Sequence, residues 1–223
     1  MERADTRLLP CGVAVRHVLQ DKSLSRAACN HAIMERVDIR GDVLDLGAGT
    51  NPSYRPLLDT PRSLTTLDAA APHADVQADL ERVPLDIAAE SFDTILAFNL
   101  LEHIYRHAEL LGEARRLLRP SGMLYLWVPF LIAFHPDPRD HFRYTEETLL
   151  RLLDEAGFKE VAVHGHGGRF TASAALALSG IPTRPARLLT ALAAVTLDRL
   201  YYRVTRVSEP RSFPLGYLAI GQR

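Results

Sequence analysis

The stretch Val43-Leu44-Asp45-Leu46-Gly47-Ala48-Gly49-Thr50-Asn51-Pro52 constrains this chain more than any other part of it. An apolar run carrying one acid breaks into two glycines one residue apart. That is the form of a buried strand running straight into a tight turn. Gly47 and Gly49 can take backbone angles closed to other residues, and without Cβ they let a ligand lie against the main chain. The segment reads as the opening of a nucleotide-type α/β site.

The pattern around it supports that architecture. Strands are expected over 43–46, 64–67, 75–78, 92–98, 123–128, 161–164 and 215–220. The run 92–98 is nearly all apolar, as a strand covered on both faces should be. Helical periodicity falls between the strands. One helix, capped by Ser23 or Ser25, carries Ala27, Ala28, Ala32, Ile33 and Val37, and a short one follows Pro52 to Leu58. Another repeats Ile104, Ala108, Leu111, Ala114 and Leu118 and is stopped by Pro120-Ser121-Gly122. A further helix is capped by Thr145 and ends at Gly157. Such alternation predicts an α/β fold, a doubly wound, Rossmann-like, mostly parallel sheet with helices on both faces. The chain is read as one domain. Residues 1–40 form a helical cover, 41–164 the core, 165–213 a helical insert and 214–223 the final strand. The insert holds two Ala/Leu-rich runs split by Pro182 and Pro185. It either covers one end of the sheet or acts as a lid or dimer surface.

Composition narrows the partners. A net charge of −1 gives no electrostatic reason to expect nucleic acid or an anionic membrane. Cys11 and Cys29 match neither a zinc knuckle nor a disulfide framework. The first residues show no signal peptide, and the longest apolar runs fall short of the roughly 20 residues that span a bilayer. A cytoplasmic monomer or homodimer is expected.

The glycine turn also selects its ligand. A dinucleotide site wants a third glycine, but Pro52 stands there; a phosphate loop wants a lysine, and none is near. Asp45 would repel a pyrophosphate and suits a ligand with a positive amino group. Asp68 ends the second strand, where an acid takes ribose hydroxyls. A cationic amino acid joined to a ribose points to S-adenosylmethionine.

In the turn 43–52, Asp68, Asp79 and the block 92–104, the chain resembles the class I S-adenosylmethionine-dependent methyltransferase family of small-molecule type. The resemblance covers roughly residues 24–165 and the final strand. It implies seven strands with the last antiparallel. Asp45 and the backbone of Gly47, Ala48 and Gly49 would hold the methionine end of the cofactor. Asp68, followed by Ala69, would bind the ribose, Asp79 and Leu80 the adenine edge, and Asn99 would lie beside the methionine moiety. The product would be S-adenosylhomocysteine.

The acceptor is expected to be a small molecule, a sugar or secondary metabolite methylated on a hydroxyl. The candidate catalytic residues are His103, His135, Asp137 and His141. In the loop 135–144, His135 and Asp137 are expected to face the substrate while its other polar residues hold the loop. Glu102, His103 and His135 or His141 suit a divalent ion poorly. Compared with relatives that bind one, Asn99 replaces a glutamate, and no metal is expected. The alternatives are a cofactor-binding protein that runs a cyclisation or elimination, and a non-catalytic partner subunit.

Overall fold

Alternate residues of the central strands point into two separate cores, and this divides the helices into two layers. In the computed structural model, which describes residues 7–205 and 213–223, Leu44, Ile95, Leu124 and Leu126 face one layer. Val43, Leu96, Tyr125 and Trp127 face the other. Parts of the expected N-terminal cover and insert lie outside the described residues.

The strands are β1 (Asp42–Leu46), β2 (Ser63–Asp68), β3 (Val76–Gln77), β4 (Phe92–Phe98), β5 (Leu118–Pro129), β6 (Lys159–His166) and β7 (Gly216–Gln222). Their order is β3-β2-β1-β4-β5-β7-β6. β1 pairs in parallel with β2 and β4, and β7 runs antiparallel to both β5 and β6. This is the seven-stranded, doubly wound sheet expected, with its last strand reversed.

Three boundaries differ from expectation, each for a local reason. β5 starts at Leu118, because the register shift between Phe92 and Thr94 lets Pro120-Ser121-Gly122 bulge within the strand. The helix expected from Ile104 starts at His107, since the Glu81 carboxylate accepts the amides of Tyr105 (2.7 Å) and Arg106 (3.1 Å) before it. After Pro52 there is only the 3-10 turn Arg55–Leu57. The capping expectations hold: Ser23 accepts the amide of Arg26 and Thr145 that of Thr148.

One layer consists of α3 (His107–Leu117) and α4 (Glu146–Glu155). The other consists of α1 (Cys11–Leu19), α2 (Leu24–Arg36), α5 (Arg169–Ala177) and α6 (Arg184–Thr205). The insert is thus α5 and α6, packed with α1 and α2 over one sheet face. Pro185 is the second residue of α6, where its missing N–H costs no helical bond. Among the described residues, no helix is long and apolar enough to cross a membrane.

The two insert helices are locked by a buried acid. Gly168 precedes α5 and offers no side chain to cap it. Asp198 of α6, 1 % exposed, does so from across the interface. Its carboxylate accepts the amides of Phe170 and Thr171, each at 2.8 Å, and the Thr171 hydroxyl. Asp198→Ala strands these donors in the core and is expected to lower the unfolding free energy by about 3 kcal/mol in urea denaturation. Asp198→Asn, which keeps one acceptor, should lose less.

Candidate cofactor and acceptor site

Strand order reverses between β1 and β4, which leaves a crevice at their carboxyl ends. A cavity of about 920 Å³ opens there. Its floor is the turn after β1. Gly47 (φ +66°) donates its amide to the Leu67 carbonyl at 2.8 Å, and a Cβ on it would lie 2.6 Å from Leu100. Gly49 (φ +61°) would place a Cβ in open space. The first glycine is needed for packing; the second leaves bare main chain on the cavity wall.

Asp68 fastens that turn to β2. One carboxylate oxygen accepts the Gly49 amide (2.9 Å) and the other the amides of Ala70 and Ala71 (both 2.8 Å). Burial pushes its carboxyl up, but these amides outweigh burial and hold it below the usual range. Ala69, Asp79 and Leu80 continue the wall at the ends of β2 and β3. Asn99 follows β4 in a left-handed conformation (φ +52°), with its amide donated to the Trp127 carbonyl at 2.9 Å. Gly47, Gly49, Asp68, Ala69, Asp79, Leu80 and Asn99 therefore meet on one cavity, although they span 53 residues of sequence.

Asp45 and Ala48 are not on that wall. Asp45 is fully buried; it accepts the Tyr54 hydroxyl at 2.8 Å and an Arg55 N–H at 3.2 Å. The turn after Pro52 brings Tyr54 and Arg55 to Asp45, the residue expected at the methionine end of the cofactor. Burial is the main cause that pushes its carboxyl up to about 6, against the pull of Tyr54 and Arg55.

On the acceptor side, His103, Asp137 and His141 line the cavity together with Arg139 and the exposed ring of Tyr105. His103 donates Nδ1–H to the Arg139 carbonyl. The Nε2 of His141 is buried with no hydrogen-bond partner, and its ring stands edge-on to Tyr105 at 5.4 Å. His135, expected to face the substrate, is not among the residues that line this wall. The reason is Asp140, whose side chain is 2 % exposed. It accepts the His135 amide at 2.9 Å and is clamped by Arg143, which holds its carboxyl well below the usual range. The His135 ring turns instead toward the buried Glu102 carboxylate, which raises its pKa. Sequence reasoning passed over Glu81, Tyr105 and Arg139; their roles come from loops that meet only in the fold.

A second groove, of about 700 Å³, lies between α4 and the edge strand β6, lined by mixed charges such as Arg151, Asp154 and Lys159. It shares no residue with the glycine-turn cavity.

An antiparallel final strand on a doubly wound sheet, with a bare glycine turn at the switch point, defines an α/β class that binds ligands in that crevice. Residues 44–126 match the family model described as a methyltransferase domain. A probable S-adenosylmethionine-dependent methyltransferase of Mycobacterium tuberculosis is 32 % identical over 147 residues, covering 57 % of this chain and 53 % of the relative. The chain spans about half the length of the curated relatives it matches. Among solved structures, an S-adenosylmethionine-dependent methyltransferase from Archaeoglobus fulgidus superposes with a TM-score of 0.56 at 15 % identity, covering 90 % of this chain and 93 % of that one. The [4+2]-cyclase SpnF superposes at 0.54 and 15 % identity, covering 99 % of each chain. These two likenesses concern the fold. Sheet order and turn agree with the family match over residues 44–126, which is to a methyltransferase domain.

The environment of Asp45 has a measurable consequence. Its folded pKa of about 6 lies above the ordinary 3.8, so the folded state holds the proton more tightly than the unfolded chain. The stability it contributes is fully present below 3.8 and is lost as pH rises through about 6, a change on the order of 3 kcal/mol. Urea denaturation between pH 4 and 7 should show this slope in the wild type. Asp45→Asn should lack it.

Proposed function

We propose that this chain is a methyltransferase that moves the activated methyl group of S-adenosylmethionine to a hydroxyl of a small metabolite, such as a sugar or secondary metabolite. The observation that carries the reading is the cavity at the strand-order reversal. Open main chain at Gly49 and the carboxylates of Asp68 and Asp79 stand on the same wall. These residues fit the cofactor: an anionic edge for ribose hydroxyls, a second acid further along, and no cationic phosphate-binding group in the turn. At about 920 Å³ the cavity is near the upper end for small-molecule sites, with room for an acceptor beside a nucleoside.

S-adenosylmethionine, when bound, supplies the methyl group and its sulfonium leaving group. The chain's own task is alignment, exclusion of water and removal of the acceptor's proton. Asp68 holds the ribose and the Gly47–Gly49 backbone the methionine end. Tyr105 and His141 offer an aromatic wall to the acceptor. His141 is the better placed proton acceptor, because its Nε2 has no partner while the Nε2 of His103 is turned to the Glu102 carboxylate. Asp137, exposed on the same wall, can orient a hydroxyl.

Calorimetric titration with S-adenosylhomocysteine tests the cofactor half. Asp68→Ala should weaken binding by at least about 10-fold, the loss of charge-assisted hydrogen bonds, and no binding by the wild type would sink the reading. With hydroxylated metabolites as acceptors, His141→Ala should lower kcat by about 100-fold and leave the affinity for S-adenosylhomocysteine unchanged. Binding without any S-adenosylhomocysteine formed from S-adenosylmethionine would instead favour a cyclisation or elimination in the same cavity.

A further inference from the structure

Beneath the acceptor side of the cavity lies a carboxylate that the reading above does not use. Glu102 is fully buried, and neither of its oxygens has a hydrogen-bond partner. A buried carboxylate without partners is costly, so its charge needs a counterpart. Two imidazoles stand at it. Nε2 of His103 is 3.6 Å from Glu102 Oε1 and Nε2 of His135 is 3.8 Å from the same oxygen, both too long for hydrogen bonds. The three ligating atoms lie within 4.8 Å of one another.

The proton positions on the rings sharpen the geometry. His103 gives its Nδ1 proton to the Arg139 carbonyl, which leaves the Nε2 lone pair directed at Glu102. Around Nδ1 of His135 are two acceptors, the Ala133 carbonyl at 3.2 Å and Asp140 Oδ2 at 3.4 Å. The neighbouring Arg143 Nη2 stands 3.3 Å from the same Nδ1 and also donates to Asp140 and to Ala133, so this side of the ring is held by the loop and its Nε2 is turned to Glu102. The Nε2 atoms of two imidazoles and a carboxylate oxygen then face one gap. Metal-binding histidines are set in this way, with the far nitrogen held by a carbonyl or carboxylate. Four-coordinate zinc holds such donors at about 2.0–2.2 Å, which separates any two of them by about 3.3–3.6 Å. The two nitrogen–oxygen spacings need to close by a few tenths of an ångström, and the two nitrogens lie within 4.8 Å of each other.

We propose that Glu102, His103 and His135 form a site for a divalent transition-metal ion of the zinc class. Two imidazoles and one carboxylate supply three ligands and leave a further position open. The inference deepens the methyltransferase reading and rests on it for its purpose: His103 belongs both to this site and to the cavity wall, so the open position serves the hydroxyl oxygen of the acceptor. A second group, His31, Glu35 and His166, is as closely spaced. There, burial together with nearby Arg36 and Arg7 pushes His166 down to about 3, a field that opposes a cation. It is the natural control.

The test uses the purified chain, freed of metal with a chelator and titrated with Zn²⁺ against a chromophoric competitor, and with Co²⁺ followed by visible absorption. One equivalent should bind, and cobalt should give the intense bands of a four-coordinate site. Glu102→Gln and His135→Ala should each weaken zinc by at least about 100-fold, while His31→Ala leaves it unchanged. No uptake by the wild type would overturn the proposal, as would uptake unchanged in Glu102→Gln and His135→Ala or abolished in His31→Ala. Should Glu102→Gln fail to fold, His135→Ala decides alone, since that ring is on a loop and part-exposed. Titration of the metal-free chain with S-adenosylhomocysteine is read separately. Cofactor binding without zinc uptake defeats the metal site alone, whereas zinc uptake without cofactor binding defeats the methyltransferase reading.

Discussion

The hydrogen bond from the Gly49 amide to the Asp68 carboxylate joins the ends of two neighbouring parallel strands, and the cavity depends on that join. Without it the glycine turn would be tied to the sheet only through the amides of Gly47 and Ala48 on the Leu67 carbonyl. The same carboxylate also gathers the amides of Ala70 and Ala71, so one side chain shapes the floor and the adjacent wall. Three backbone donors on one acid keep it charged even though it is partly buried. A residue that would meet the ribose thus also builds the surface on which the ribose would rest.

Most of the sheet was legible because strand and helix periods differ and because glycine, proline and capping residues punctuate them. β1, β2, β4 and β7 fall within two residues of their expected limits. The misplaced boundaries share a cause. β5 and α3 begin where a contact distant in sequence decides: the pairing of Phe92 with Leu118, and the hold of Glu81 on Tyr105 and Arg106. No window of local pattern contains both partners. The same holds for Asp198, which in sequence is one acid inside an Ala/Leu-rich helix and in the fold is the cap of α5.

The site divides in the same way. Its glycine turn and strand-end acids were readable because each is a local device, and Gly47, Gly49, Asp68, Asp79 and Asn99 lie on one cavity. Asp45 and His135 were assigned by type, and the fold gives them partners that the sequence does not show. A strand acid next to the turn becomes a buried partner of Tyr54, and a loop histidine is drawn inward by Asp140. Burial decides such cases, and burial is a property of the whole fold.

Glu102 shows how the two halves are coupled. Its main-chain carbonyl accepts the amides of His141 (2.9 Å) and Phe142 (3.3 Å), so the loop after β4 carries the loop after β5. The Tyr144 hydroxyl repeats the link on the Leu101 carbonyl at 3.0 Å. The segment that offers Asp137 and His141 to an acceptor is therefore positioned from residues 101 and 102, a few residues beyond Asn99 on the cofactor side. Among the described residues, α5 and α6 contribute nothing to the cavity lining and belong to the second core, with α1 and α2. Changes in the 130–143 loop can alter what is bound without disturbing the sheet, provided the contacts to residues 101 and 102 persist.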